Sequence, residues 1–112
     1  MKHYIGIDLG TSSVRAIMIN SDGFQVSVKG EQYEVLIPRQ GWAEQDPEEW
    51  FQKTANVIRE LIASSGVAPK DIAALSFSGQ MHGLVPLKED GFPAANAVIW
   101  LDQRSGDAIH EI

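Results

Sequence analysis

The sequence predicts an α/β domain whose mixed sheet opens with an antiparallel meander. Two turn-like segments separate three strand-forming segments near the start of the chain. A capped helix with one apolar face follows these strands. An apolar, strand-like segment comes directly after the helix, which is where a crossover to a parallel strand would place it.

The first three strands are predicted at residues 4–9, 14–19 and 24–35, where apolar and branched side chains dominate or alternate. The first turn, at residues 10–13, contains only small residues. The second, at residues 20–23, has the sequence Asn-Ser-Asp-Gly, a strong hairpin signal. Short turns between consecutive strands predict antiparallel pairing.

The clearest helix begins after Asp46, a favourable N-cap residue. Pro47 suits the first helical position, and Glu49 completes a capping-box spacing with Asp46. Gly66 is a natural residue for the end of the helix, and Pro69 prevents its continuation. The charged residues of this helix predict a solvated outer face, so its role is expected to be structural.

The second half of the chain predicts a buried strand at residues 72–78 and short strands at residues 84–87 and 97–101. Ser105 is a candidate cap for a final helix that the chain cuts off at Ile112, which suggests truncation. The complete order matches the opening of a ribonuclease H-like, or actin-like, α/β domain.

Composition limits the classes of function. The 112 residues are ordinary for a small globular domain, with 44% hydrophobic and 21% charged side chains. Since the net charge is −6 and no basic cluster stands out, a nucleic-acid partner is not expected. No apolar run is long enough to predict a membrane span, and no signal peptide is evident. The absence of cysteine fits a reducing cytoplasm.

A first polar group occupies the end of the first strand and the turn after it. Its members are Asp8, Gly10, Thr11, Ser12, Ser13 and Arg15. A carboxylate at a strand end can position hydrated Mg²⁺, while a glycine-led turn offers N–H groups and hydroxyls to phosphate oxygens. The spacing differs from that of a Walker A loop. The alternative is an ordinary hairpin turn that Asp8 caps.

A second polar group follows the strand predicted at residues 72–78. Gln80 can donate and accept hydrogen bonds, and His82 can do either at a hydroxyl, so this loop suits a polyol. Open α/β sheets often bind ligands in loops at such positions. The alternative interpretation makes Met81 a core residue and His82 an ordinary loop histidine.

A third group follows the last predicted strand. Asp102 can accept hydrogen bonds from hydroxyls, and Trp100 offers an apolar face to a sugar ring or carbon chain. Arg104 could pair with Asp102 or reach a ligand. In the alternative interpretation, Trp100 belongs to the core and Asp102–Arg104 is a surface ion pair of little energetic value.

Four segments, taken together, resemble the FGGY family of carbohydrate kinases. They are YIGIDLGTSSVRA, GWAEQDPEEWF, LSFSGQMHGLVPL and VIWLDQRS, and they extend over essentially the whole chain. The first segment is shared with many actin-like ATPases. The combination of GQMHG with IWLDQRS is narrower and is typical of family members that phosphorylate D-xylulose.

The resemblance implies that residues 1–112 form the N-terminal part of the first of two domains in an actin-like enzyme, with ATP and sugar meeting in the cleft. The second domain is expected to lie outside this chain. Asp8 would be a catalytic residue near Mg²⁺ and the phosphates. The resemblance assigns nucleotide binding to Gly10, Thr11, Ser12, Ser13 and Arg15. It assigns substrate binding or the pocket wall to Gln80, Met81, His82, Trp100 and Asp102.

The implied reaction transfers a phosphoryl group from ATP to the terminal hydroxyl of D-xylulose, with Mg²⁺, giving D-xylulose 5-phosphate. The family's catalytic base and adenosine-binding segment are expected downstream of Ile112, so the fragment alone is expected to be inactive. The parent enzyme is expected to be cytoplasmic and could form a homodimer.

Two alternatives remain open at this stage. The first is a kinase of the same family that acts on another sugar or sugar acid, such as ribulose or gluconate. The second is an actin-like protein that binds nucleotide without catalysis. Gln80, Met81 and His82 distinguish a D-xylulose kinase from the other kinases. The same residues argue against a non-enzymatic protein, because such a protein has no need of a polyol pocket.

Overall fold

The computed structural model describes residues 1–110 and contains a four-stranded mixed sheet with one long helix on one face. The strand order is β3-β2-β1-β5. These strands are β1 (His3–Leu9), β2 (Ser13–Asn20), β3 (Gln25–Gln32) and β5 (Ile72–Gly79). β1 pairs with β2, and β2 with β3, in antiparallel orientation, while β1 and β5 are parallel. The predicted meander followed by a parallel strand is confirmed.

The hydrophobic core lies between the sheet and helix α1 (Pro47–Ser65). Alternate residues of β1 and β2 face the helix, because side chains along a strand point to opposite faces in turn. The buried cluster consists of Ile5, Ile7, Val14, Ala16, Met18, Tyr33, Val57 and Leu61. Burying each of the larger aliphatic side chains stabilises the fold by roughly 1.5–3 kcal/mol.

Helix α1 begins and ends where the sequence predicts. The Asp46 carboxylate accepts a hydrogen bond from the Glu48 N–H at 2.9 Å, and Pro47 occupies the first turn. Gly66 ends the helix with a φ of 71°, a left-handed conformation that glycine adopts without steric cost. The helix therefore has a fixed starting point, directly after the residues that enter the candidate site.

A second, two-stranded sheet pairs β4 (Glu44–Gln45) with β6 (Ala97–Val98) in antiparallel orientation. Isolated bridges extend this pairing, joining Leu36 to Glu44 and Leu84 to Val98. The small sheet therefore brings the segment before α1 against the segments on both sides of residues 85–96. A five-residue helix, α2 (Gly106–His110), ends the described part of the chain.

Several predicted boundaries are wrong. The third strand stops at Gln32 instead of residue 35, because the Tyr33 N–H turns to donate to the Ser12 carbonyl at 3.1 Å. The strands predicted at residues 84–87 and 97–101 shrink to isolated bridges and to β6. β4 was not predicted. The end of the last predicted helix, residues 111–112, lies outside the described residues.

The prediction of a buried strand at residues 72–78 is also wrong for the described part of the chain. β5 is an edge strand, and its residues from Ala73 to Gly79 are exposed. The reason is that α1 packs on β2 and β3 and leaves β5 uncovered. Among residues 1–110, no helix is long and apolar enough to cross a membrane.

Candidate functional site

The candidate site is built where two parallel strands end side by side. The register pairs Leu9, the last residue of β1, with Gly79, the last residue of β5. The Gln80 N–H continues this pairing by donating to the Leu9 carbonyl at 2.9 Å. A Cβ on Gly79 would lie 3.2 Å from the same carbonyl, so glycine allows this close approach. The 10–13 turn and the loop at residues 80–83 therefore start next to each other.

Backbone and tyrosine contacts hold the 10–13 turn. The Gly10 N–H donates to the Ser13 carbonyl at 2.9 Å, and the Tyr33 hydroxyl donates to the Gly10 carbonyl. Burial, with a further contribution from the negative charge of Asp8, raises the pKa of Tyr33 to about 12. Tyr33 therefore keeps its proton at neutral pH and remains a donor to the turn, while Ser12 is exposed beside it.

Asp8 and Arg15 lie opposite each other on adjacent strands, on the sheet face that points away from α1. They line an open groove of about 500 Å³ together with Ser76 and Ser78 of β5. Both charged residues are exposed. The pairing places a carboxylate, a guanidinium and hydroxyls on one surface next to the 10–13 turn.

Among the described residues, no three histidine, cysteine or acidic side chains come together as a metal site. A single exposed carboxylate next to a turn with hydroxyls fits the way proteins hold Mg²⁺, which keeps several waters and binds few protein ligands. Asp8 is thus the residue here that could hold such an ion, with water and phosphate oxygens as its other ligands.

Three of the residues predicted to bind the substrate line a second groove. His82, Trp100 and Asp102 line this cavity of about 470 Å³ together with Val98 of β6. Met81 and Trp100 are exposed, by 71% and 52%. His82 has a φ of 62°, a left-handed conformation that few non-glycine residues adopt. An exposed histidine held in this conformation beside an open tryptophan is available to a ligand.

Trp100 connects the two parts of the site, which are the 10–13 turn and the groove that contains His82. Its indole N–H donates to the Thr11 hydroxyl oxygen at 3.0 Å, although the two residues are 89 positions apart. The Thr11 hydroxyl keeps its own proton for donation, because a hydroxyl accepts and donates at once. Thr11 therefore belongs to the 10–13 turn and also contacts Trp100, which lines the groove that contains His82.

Asp102 has several protein partners. Its carboxylate accepts hydrogen bonds from the Arg104 Nε at 2.9 Å and from the Ala43 N–H at 2.7 Å. The Arg104 side chain, with lesser help from backbone N–H groups, lowers the pKa of Asp102 to about 2. Arg104 also pairs with Glu44 at 2.7 Å, and its guanidinium lies 3.7 Å from the centre of the Trp42 ring. We call Trp42, Glu44, Asp102 and Arg104 the Asp102 cluster.

Three residues near the site were not predicted to contribute. Gln45 is almost completely buried and contacts both Thr11 and Gln80. Tyr33 holds the 10–13 turn, and Glu44 belongs to the Asp102 cluster. The sequence contains a weak signal for Gln45 alone, an amide placed directly before the N-cap of α1. Tyr33 and Glu44 have no local pattern that distinguishes them from other polar residues.

The chain matches the N-terminal domain of the FGGY family of carbohydrate kinases over residues 3–112. It belongs to this family. Because the two solved structures described below share its fold at 29% identity, the predicted ribonuclease H-like fold of actin-like ATPases is confirmed, as the N-terminal part of such an enzyme.

The similar proteins include kinases with three different acceptors. The xylulose kinase of Bacillus subtilis is 44% identical over 105 residues, which cover 94% of this chain and 21% of that protein. The glycerol kinase of Parabacteroides distasonis is 33% identical over 99% of this chain and 22% of that protein.

Among solved structures, a ligand-bound xylulose kinase from Lactobacillus acidophilus has a TM-score of 0.91 at 29% identity, over 99% of this chain and 22% of that one. A gluconate kinase from the same organism has a TM-score of 0.90 at 29% identity, over 98% of this chain and 22% of that one. The chain spans about a fifth of the length of the relatives it matches.

Proposed function

We propose that the protein carrying this domain phosphorylates D-xylulose at its terminal hydroxyl with MgATP, giving D-xylulose 5-phosphate and ADP. The observation that carries the proposal is the contact between the two halves of the site. The Trp100 N–H reaches the Thr11 hydroxyl at 3.0 Å, so a phosphate held by the 10–13 turn would lie next to the groove around His82.

The 10–13 turn suits the phosphates of a nucleotide. In a chain of net charge −6 without a basic cluster, backbone N–H groups and hydroxyls must do most of the work of binding an anion. Thr11 and Ser12 offer hydroxyl protons, and Arg15 adds a positive charge on the adjacent strand. When bound, Mg²⁺ would neutralise phosphate charge, and Asp8 would hold it directly or through its water shell.

The groove lined by His82 and Trp100 suits a polyol. His82 can orient a hydroxyl group, while Trp100 presents apolar surface to the carbon chain and Met81 is exposed in the adjoining loop. In the reaction, the terminal hydroxyl oxygen bonds to the γ-phosphorus as the bond to ADP breaks, and the hydroxyl proton passes to a base. We expect that base outside residues 1–112, so this chain contributes positioning and charge.

D-Xylulose is favoured over other acceptors by the residues around His82. The similar proteins also include glycerol and gluconate kinases, so the shared fold does not determine which acceptor is phosphorylated. The GQMHG segment at residues 79–83 supplies the exposed Met81 and His82. A sugar acid would instead call for positive charge, and the described groove contains one guanidinium, which the Asp102 cluster already engages.

The test is a comparison of acceptors with the full-length protein. We would measure kcat/KM with MgATP for D-xylulose, D-ribulose, D-gluconate and glycerol by following ADP release. The highest value is expected for D-xylulose. A higher value for another acceptor would reassign the substrate, and binding of ATP without turnover on any acceptor would favour a non-enzymatic actin-like protein.

A further inference from the structure

Gln45 is a polar side chain with 1% exposure, and its amide makes three hydrogen bonds. Its Nε2 donates to the Thr11 carbonyl at 2.5 Å. Its Oε1 accepts from the Trp50 indole N–H at 3.0 Å and from the Gln80 Nε2 at 2.9 Å. Three segments that are distant in sequence thus meet at one amide group: the 10–13 turn, helix α1 and the loop after β5.

The partners fix the orientation of this amide. An indole N–H can only donate and a carbonyl can only accept, so the oxygen must face Trp50 and the nitrogen must face Thr11. Gln80 then has to present its own Nε2 to the same oxygen. A buried amide with no freedom to flip defines the distance between the turn and the loop.

We propose that Gln45 is a positioning residue that fixes the 10–13 turn relative to the loop at residues 80–83. The inference rests on the proposed kinase function, since it concerns the alignment of phosphate donor and acceptor. Thr11 is held from two directions, with its carbonyl bound by Gln45 and its hydroxyl bound by Trp100. Loss of the Gln45 contact would leave Thr11 with one of these two constraints.

Gln45→Glu is the most informative variant, because it keeps the shape of the side chain. An ionised carboxylate still accepts from Trp50 and Gln80, but it places a second acceptor against the Thr11 carbonyl. A protonated carboxyl group donates again and reproduces all three hydrogen bonds. The Thr11 carbonyl, the Trp50 indole and the Gln80 amide are all uncharged, so burial among them raises the pKa of such a carboxyl group. The defect of the variant should therefore depend on pH.

The experiment measures the KM for ATP and for D-xylulose, and kcat, with the full-length enzyme between about pH 5.5 and 8.5. At the alkaline end we expect Gln45→Glu to raise the KM for ATP roughly tenfold, the size of effect from losing a buried hydrogen bond and gaining a repulsive contact. At the acid end, the KM for ATP of Gln45→Glu should approach that of the wild-type enzyme. Gln52→Glu makes the same change on the exposed face of α1 and should follow wild type throughout.

Trp50→Phe provides a second test should Gln45→Glu not fold. It keeps an aromatic ring at this position and removes one donor to Gln45, so we expect a smaller rise in the KM for ATP, roughly two- to fivefold, without pH dependence. The inference fails if Trp50→Phe has wild-type kinetics, if Gln45→Glu behaves like Gln52→Glu, or if its defect is equal at every pH.

The failure of the proposed function can be distinguished from the failure of this inference. A wild-type protein without kinase activity overturns both. A wild-type protein that prefers another sugar corrects the substrate alone, and the same variants are then measured with that sugar. Since the KM for ATP carries the predicted pH dependence, the result for Gln45 does not depend on which acceptor is used.

Discussion

At the scale of single residues, His82 combines an exposed side chain with an unusual backbone conformation. It is exposed, it borders the groove with Trp100, and its φ of 62° directs the backbone into a region that favours asparagine, aspartate and histidine among residues other than glycine. The strained backbone supports the expectation that His82 contacts the acceptor.

We predict that His82→Ala raises the KM for D-xylulose roughly 3- to 10-fold, the effect of losing one neutral hydrogen bond, and changes the KM for ATP much less. Steady-state kinetics of the full-length protein at varied sugar and varied ATP would measure both constants. Equal increases in the two constants would contradict a contact with the sugar.

Two control variants separate the imidazole from the backbone. Alanine is unfavourable at a φ of 62°, whereas glycine adopts it freely. If the imidazole ring contacts the sugar, His82→Gly should therefore also have a raised KM for D-xylulose. His3→Ala, at the opposite end of β1, should leave both constants unchanged.

At the scale of secondary-structure elements, the Asp102 cluster joins the chain around β4 to the chain after β6. Asp102 accepts from the Ala43 N–H, Arg104 pairs with Glu44 of β4, and the Ile99 N–H donates to the Ala43 carbonyl at 3.2 Å. These contacts hold Trp100 next to the 10–13 turn. Since protein groups surround the Asp102 carboxylate, its structural role explains its position without a ligand.

We predict that the stabilisation from Asp102 is lost in acid. Its pKa is about 2 in the folded protein and 3.8 without the fold, so the folded state favours the ionised form. The contribution is present above about pH 4 and disappears as the pH falls toward 2, because both states are then protonated. Thermal unfolding of Asp102→Asn against wild type should show a lower Tm at neutral pH and a difference that shrinks below pH 4.

The matched control is Asp22→Asn, which makes the same change in the exposed turn between β2 and β3. It should leave the Tm close to that of wild type at neutral pH. A Tm difference between Asp102→Asn and wild type that stays constant from pH 7 to pH 2 would show that the charge of Asp102 is not what stabilises the cluster.

At the scale of the whole molecule, the sequence predicts the parts of the fold that local chemistry determines. The turn at residues 20–23 and helix α1 are correct because the Asn20 side chain, Gly23, the Asp46 cap and Gly66 act within a few residues. The sequence also indicates three polar groups, since polar residues at strand ends are visible in it, and their roles in binding stay predictions. That these groups meet around Thr11 depends on the fold.

What the sequence could not predict depends on contacts between distant segments. The short β4 forms because Glu44 and Gln45 pair with residues more than 50 positions away. The role of Gln45 requires knowledge of where Trp50, Thr11 and Gln80 meet. Likewise, Asp102 could equally well have faced a ligand or Arg104, and its surroundings in the fold place it against Arg104 and the Ala43 N–H.

The exposed face of β5 leads to a prediction about the isolated domain. The parallel register aligns Leu75 with Ile5 and Phe77 with Ile7, and Ile5 and Ile7 face α1. Leu75 and Phe77 are nevertheless 42% and 61% exposed. Because the relatives are about five times longer, we expect this face to be covered in the full-length protein and open in residues 1–112 alone.

Phe77→Ser should therefore act in opposite directions in the two contexts. In residues 1–112 alone it removes exposed apolar surface from an edge strand, so we expect less self-association in sedimentation or light scattering. In the full-length protein it would remove a covered aromatic side chain and lower the free energy of unfolding by about 3 kcal/mol or more. Phe24→Ser, in the exposed turn between β2 and β3, is the control and should have little effect on the stability of the full-length protein. If Phe77→Ser leaves the full-length protein as stable as Phe24→Ser does, then no other part of the protein covers β5.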